Sequence, residues 1–326
     1  MEGVRRRAQH LGVSAPGLPL FRDVSDVFRL RAPFLADDRA RVAPARDGCG
    51  LTSRPMRVMC SIIAIMDIRA RQGLKGTKLL YAGPGTVHRW IEVVEEKGIR
   101  QMRFGRNGGW QGALDLARPE RPVFPYQRAF TALVEAHEPI RAFLAVGVGS
   151  GTSLHHVRRL HPEAALHGVE IDETVLSLGI EFFQAPSHQE ADYWIGDGVR
   201  FVSSPHAATY DLIFMDAYLK ASIYQPSLAP DTASCLARVT SSRGTVVYNL
   251  IASGYRSTHL QDFLEVMRTC FPVLLDLPVG LPLTAQNRLF IATRDEELAG
   301  RLRQICMRAG ASDLERVSWS LRLSAL

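Results

Sequence analysis

Lysine is scarce in this 326-residue chain: it occurs only at Lys75, Lys78, Lys97 and Lys220, and arginine supplies the rest of the 39 basic residues. The excess positive charge is confined as well. The stretch from Met1 to Tyr81 holds 15 Lys+Arg against 7 Asp+Glu, leaving 24 against 26 for everything beyond it. A near-neutral body behind a basic leader lacks the charged groove that a nucleic-acid partner requires, so none is expected. Long apolar runs are also missing. The longest, Val58 to Ile68, is about half of what a membrane-spanning helix needs, and no membrane segment is expected. The cysteines (Cys49, Cys60, Cys235, Cys270, Cys306) form no CxxC pair. That argues against a metal centre or disulfide framework and for reduced, packed thiols in the cytoplasm. His155-His156 have no acid or cysteine at ligand spacing and are expected to be solvated, so no metal is expected.

What is present falls into three parts. Residues 1–75 are rich in Arg, Ala, Pro and Asp and weakly periodic, and they read as a disordered leader or as sequence upstream of a true start at Met56, Met59 or Met66. The segment 78–125 changes to short β-like runs. "HRWIEVVEE" and "IRQMRFG" are separated by Lys97-Gly98, and a turn signal follows at Asn107-Gly108-Gly109; two or three antiparallel strands are expected. Residues 126–326 begin with a helix, "YQRAFTALVEAHE", that places Phe130, Leu133 and Val134 on one face. Strands and helices then alternate in the βαβ manner. The strands are "AFLAVG", "ALHGVE", "DYWIGD", "YDLIFMDA" and "GTVVYNL", followed by a closing pair, "FPVLLDLPV" and "NRLFIATR". Thr258 and Gln261 suggest a capping box, and "EELAGRLRQICMRAG" reads as the terminal helix.

The informative feature is where the polar residues fall. Gly147 to Gly151, Glu170, Asp197, Asp216 and Asn249 all stand at the C-terminal ends of predicted parallel strands, where open α/β sheets bind ligands. The loop Gly147-Val148-Gly149-Ser150-Gly151 turns the chain tightly and allows close approach of a ligand. Its third glycine falls too early for a dinucleotide fingerprint, since Thr152 stands there, so the spacing suits a nucleoside; alone, it is equally a structural turn. Glu170 ends the second strand, where an acid can take both ribose hydroxyls. Its neighbour Asp172 reads as a helix N-cap. Asp197 can accept from an adenine amino group with Gly198 leaving room for the base, although Asp-Gly is also a common turn. Together these residues define a Rossmann-like domain over Ala142 to Asn249 that binds S-adenosylmethionine or a close relative.

In combination the motifs "AVGVGSGTSL", "GVEIDETVLSLGIEFF", "GDGVRF", "YDLIFMDAY", "GTVVYN" and "NRLFIA" resemble the spermidine synthase family of polyamine aminopropyltransferases. The likeness covers roughly Tyr81 to Arg294. It implies an α/β fold of the class I methyltransferase kind: a mostly parallel seven-stranded sheet with a small N-terminal antiparallel β-domain. It further implies that Gln111 contacts the nucleoside, that Tyr126 lines the substrate channel, and that family members assemble as homo-oligomers through the β-domain. Asp216 matches the carboxylate that orients an amine nucleophile and assists loss of its proton. Tyr218 and Tyr224 are expected beside it.

Three departures bear on the reaction. Ser150 stands where the family has an aspartate that holds the donor's ammonium. Leu219 stands where a second acid follows the catalytic one. Tyr126-Gln127-Arg128 replaces "YHE". Each change removes charge complementary to a polycation. Ser150 would also tolerate the carboxylate of intact S-adenosylmethionine, which an aspartate would repel. The expectation is therefore a transferase alkylating a small-molecule acceptor from S-adenosylmethionine, most often by methyl transfer on this fold. The alternatives are 3-amino-3-carboxypropyl transfer, aminopropyl transfer from decarboxylated S-adenosylmethionine, or a non-catalytic nucleoside-binding regulator.

Overall fold

The computed structural model describes residues 76–105, 108–205, 208–219, 222–252, 255, 258–280, 286–308 and 313–326. The leader expected over 1–75 lies outside them, as do Asn107 of the expected turn and the side chains of Leu219 and Thr258.

The first elements are four strands, β1 (Lys78–Gly83), β2 (Ile91–Glu96), β3 (Ile99–Phe104) and β4 (Trp110–Asp115), paired in that order as an antiparallel sheet. Two or three were expected. The two runs named from the sequence are β2 and β3; β1 is an edge strand that leaves Lys78, Leu79 and Ala82 exposed and so carries little apolar alternation. The β2–β3 hairpin turns at Lys97 and Gly98, with φ of 50° and 77°, the left-handed pair that a two-residue hairpin favours. One face of this sheet buries Ile91, Val93, Met102 and Leu114 against Val175, Leu178 and Phe183.

The larger layer opens with α1 (Pro125–Ala136), whose Phe130, Leu133 and Val134 are buried as the periodicity requires. It continues with β5 (Ala142–Val146), α2 (Thr152–Leu160), β6 (Ala165–Glu170), α3 (Glu173–Phe183), β7 (Asp192–Ile195), α4 (Gly198–Ser203) and β8 (Tyr210–Met215). A short pair follows, β9 (Tyr218–Leu219) with β10 (Ser222–Ile223), then α5 (Pro230–Val239), β11 (Thr240–Ala252) and α6 (Thr258–Cys270). β12 (Val273–Pro278) and β13 (Gln286–Thr293) pair antiparallel as expected.

The sheet order is β14-β12-β13-β11-β8-β5-β6-β7. The β11, β8, β5, β6 and β7 strands run parallel, and β13 is inserted antiparallel beside β11. The expected seven strands are thus joined by an eighth, the two-residue β14 (Ser324–Ala325) on the edge of β12. The chain after α7 (Leu298–Arg308), expected to be the last helix, also forms α8 (Leu314–Arg322). Trp319 anchors α8 at 2 % exposure, within the same core as Phe143, Leu154 and Ile291. Phe130 stacks on Phe214 at 4.1 Å in that core. Each such side chain contributes roughly 1.5–3 kcal/mol by leaving water.

His156 departs from expectation. It is buried on α2, its Nδ1 lacks a partner among the described residues, and burial pushes its pKa down to about 3. The helical pattern hid this because the face it occupies is covered by Ala113, Leu114 and Pro122 from the β4 region, far away in sequence.

Chain order reverses between β5 and β8, since β6 and β7 lie to one side and β8 and β11 to the other. The crevice that this reversal opens at the strand C-termini is where the polar residues gather.

Candidate active site

At the ends of β5 and β8 the ladder runs one residue further: Gly147 donates its N–H to Val169 (2.9 Å) and Asp216 donates to Val146 (2.9 Å). Gly147 has φ +86°, and a Cβ there would collide with the Asp216 carbonyl, so glycine sets how close these two strand ends come. Space is open over Gly149, where an added Cβ would meet nothing within 4 Å. Gly151, at φ +73°, starts α2.

Glu170 is braced from below. One carboxylate oxygen accepts from Gly149 N (2.9 Å) and the other from Ile171 N (2.9 Å) and Asp172 N (3.2 Å). Burial raises its pKa, and these backbone donors oppose the rise. Carboxylate oxygens each accept more than one bond, so capacity is left for hydroxyls of a sugar. Asp197 caps α4 through Val199 N (2.8 Å) and Arg200 N (3.2 Å), and its second oxygen accepts from Tyr224 OH at 2.6 Å. Tyr224 thus accompanies Asp197, not Asp216 as expected, and that bond pushes its phenol up to about 12. Gly198 serves packing as well: a Cβ there would strike Val146.

Ser150 is 3 % exposed. Its hydroxyl bonds Thr152 Oγ1 (3.0 Å), and it lies so close to Gly112 of β4 that a side chain there would overlap it. Gln111, next along β4, is placed beside this contact and donates to Gly109 O (3.2 Å). With its hydroxyl engaged and its Cβ under β4, Ser150 is a joint between loop and β-sheet, and its identity says little about which donor binds.

Asp216 follows β8 in a crevice that leaves it partly accessible. Oδ2 accepts from Tyr126 OH (3.0 Å) and Oδ1 from Asn249 Nδ2 (2.8 Å). Both partners are neutral. Burial pushes Asp216 up to about 6, against the two hydrogen bonds that favour the ionised form. Tyr126, at the first turn of α1, has its pKa raised by burial and by Asp216. Tyr218 donates to Asn249 O (2.7 Å), so it borders the same network. Gln127 donates to Tyr126 OH at 3.4 Å. Arg128, expected to alter the pocket's charge, pairs with Glu315 of α8 and donates to the carbonyls of Pro122 and Val123.

Three residues make contacts that the sequence does not announce. Asn249 was visible as a strand end but had no assigned contact. Asn287, which donates to Asn249 Oδ1 at 2.9 Å, carried no signal. Asp172 caps α3 as expected, through Thr174 N (2.9 Å), but also accepts from Thr86 N (3.0 Å), Thr86 Oγ1 (2.9 Å), Val87 N (2.9 Å) and His88 N (2.7 Å). It clasps the β1–β2 loop onto the strand end that carries Glu170. A Cβ on Gly85 would strike the Asp172 carboxylate, which explains the glycine there. Among the described residues no group of three or more His, Cys, Asp or Glu is placed to hold a metal.

A reversed strand inserted beside β11, a glycine loop after β5 and acids at the ends of β6, β7 and β8 describe a fold of the class I methyltransferase type. Residues 123–247 match the family described as spermine/spermidine synthase domain. A polyamine aminopropyltransferase of Chromobacterium violaceum is 26 % identical over 194 residues, 58 % of this chain and 72 % of that protein. A probable polyamine aminopropyl transferase of Bifidobacterium longum is 25 % identical over 149 residues, 45 % of this chain but only 32 % of the relative. A solved probable spermidine synthase from Corynebacterium glutamicum superposes with a TM-score of 0.58 at 19 % identity, covering 73 % of this chain and 88 % of the other. The chain is thus similar to spermidine synthases and has the expected fold.

Proposed function

We propose that the chain is an aminopropyltransferase that moves the aminopropyl group of decarboxylated S-adenosylmethionine to a small amine. The observation that carries this reading is Asp216, a carboxylate at the switch point held by Tyr126 and Asn249, both neutral. Such a group gains most from a ligand that brings the missing positive charge. The names of the matched relatives favour aminopropyl over methyl transfer, and Ser150, which had favoured the intact donor, is engaged with Thr152 and Gly112. Retention of Glu170, Asp197 and Asp216 together favours catalysis over a purely regulatory role.

In this reading the loop Gly147–Gly151 underlies the nucleoside, Glu170 takes the ribose hydroxyls, and Asp197 with Gly198 and Gln111 borders the base. The donor supplies a carbon activated by a sulfonium leaving group. Asp216 and Tyr126 hold the acceptor amine, with Tyr218 and Tyr224 at the margins of the pocket. The amine's lone pair forms a C–N bond as the C–S bond breaks toward sulfur, releasing methylthioadenosine. The surplus proton passes to Asp216 and then to solvent. Much of the rate comes from holding the amine in line with the sulfonium. A cytoplasmic enzyme of small molecules, assembling as a homo-oligomer, belongs to the same proposal.

Incubating purified protein with a panel of diamines and, in parallel, decarboxylated or intact S-adenosylmethionine tests it by mass spectrometry. The expected products are methylthioadenosine and an aminopropylated amine in equal amounts. Methylated amine with S-adenosylhomocysteine, formed from intact S-adenosylmethionine, would replace the reading with methyl transfer.

A further inference from the structure

We infer that Asn287 is a positioning residue for Asp216, acting through Asn249 by fixing which end of that amide faces the carboxylate; the inference rests on the transfer reaction proposed above. Asn287 and Asn249 come from adjacent antiparallel strands, near the ends of β13 and β11. Asn287 Nδ2 donates to Asn249 Oδ1 at 2.9 Å, and Asn249 Nδ2 donates to Asp216 Oδ1 at 2.8 Å. An amide side chain has one accepting and one donating end. With its oxygen engaged by Asn287, Asn249 presents its NH2 to Asp216. The opposite orientation would set a carbonyl oxygen against the carboxylate and an NH2 against an NH2.

The backbone adds a second restraint. Tyr218 OH donates to Asn249 O at 2.7 Å, and Asn249 itself is 3 % exposed. Tyr126 OH holds the other carboxylate oxygen. The two carboxylate oxygens are thereby tied from β11 and from α1, and the plane of the carboxylate is set before any ligand arrives. The titratable group bonded to Asp216 is Tyr126 from α1, a phenol that burial and Asp216 keep neutral; Tyr218 from β9 borders the network, and β11 and β13 contribute the two neutral amides. Orientation of the Asn249 amide therefore decides whether one of the two hydrogen bonds that offset burial and favour ionised Asp216 is made.

Two variants test this in the full-length protein, N287A and N287D, with donor binding measured by calorimetry and turnover across pH 5 to 9. An ionised carboxylate at 287 can only accept, so in N287D it competes with Asp216 for the Asn249 NH2 and brings a second negative charge to the network. The expected result is an acidic limb of kcat/KM displaced upward by about one unit in N287D and by less in N287A. Activity near pH 6 should fall about fivefold in N287D, with the dissociation constant for decarboxylated S-adenosylmethionine unchanged in both. Loss of activity with an unmoved limb, unchanged activity, or unfolding of both variants on circular dichroism would overturn the positioning role. Absence of transfer by the unmutated protein would instead overturn the proposed reaction, and the two failures are told apart by that control.

Discussion

Replacing Asp216 with Asn exchanges a buried charge for a neutral group of the same shape, and it should separate activity from stability. In the folded protein burial displaces this carboxyl from 3.8 to about 6. A raised carboxyl pKa means that the native state binds the proton more tightly than the unfolded state, so this group's contribution falls as pH rises from about 4 to 6 and stays low above that. The full displacement corresponds to ~3 kcal/mol. Water reaching the crevice screens part of it, leaving ~1–3 kcal/mol of destabilisation at pH 7.5. D216N lacks that cost, and it should melt higher than the parent at pH 7.5 by about 2–4 °C per kcal/mol. The gap should close toward pH 4, where the parent's Asp216 is protonated. Turnover should move the other way, falling roughly 10²–10⁴-fold with loss of the proton acceptor, while the donor still binds. Differential scanning fluorimetry across pH and a methylthioadenosine-release assay read the two effects. Wild-type turnover in D216N would refute the catalytic role, and a melting difference that does not vary with pH would refute the account of the buried charge.

Further predictions concern the donor side and the joints. E170Q, which leaves the brace from Gly149 N an acceptor but removes the charge, should weaken donor binding about tenfold or more, since hydrogen bonds to charged groups contribute ~1.5–3 kcal/mol; titration calorimetry checks it. D172A removes an N-cap and the clasp on Thr86, Val87 and His88 together. It should cost ~2–4 kcal/mol in urea unfolding and raise protease sensitivity in the β1–β2 loop. Because these donors hold the Asp172 carboxyl down to about 2, the clasp's contribution is complete above pH 4 and is lost only as pH falls through about 2. G147A forces a Cβ against the Asp216 carbonyl at a left-handed backbone position. It should cut turnover by more than tenfold and destabilise by ~1–3 kcal/mol, read by the same assays.

The parts of the fold legible from sequence were those with local cause. Alternating strands and helices from Ala142 onward follow from continuous apolar runs and a 3.6-residue period, and the Lys97-Gly98 hairpin follows from turn chemistry. Strand-end position was enough to bring the glycine loop, Glu170, Asp197, Asp216 and Asn249 to one crevice. What escaped depended on partners distant in the chain. Asp172 reads locally as a cap, and nothing near it announces Thr86 or His88. Arg128 reads as a pocket residue until Glu315 on α8 engages it. Tyr224 reads as a neighbour of Asp216 because they are close in sequence, but it reaches across to Asp197 instead. Asn287 has no motif, and it matters only because the antiparallel pairing of β13 with β11 sets it beside Asn249. The β1 strand was missed because an exposed edge need not alternate, and His156 because a helix face was covered from outside the helix.

The central claim is that this crevice binds a sulfonium nucleoside and favours the decarboxylated form. Calorimetric titration of the purified protein with decarboxylated S-adenosylmethionine, intact S-adenosylmethionine and methylthioadenosine, in one buffer, addresses it most directly. The account predicts binding of all three at one site, tightest for the decarboxylated donor and weakened by E170Q. Tighter binding of intact S-adenosylmethionine would contradict the aminopropyl reading, and binding of none would contradict the site itself.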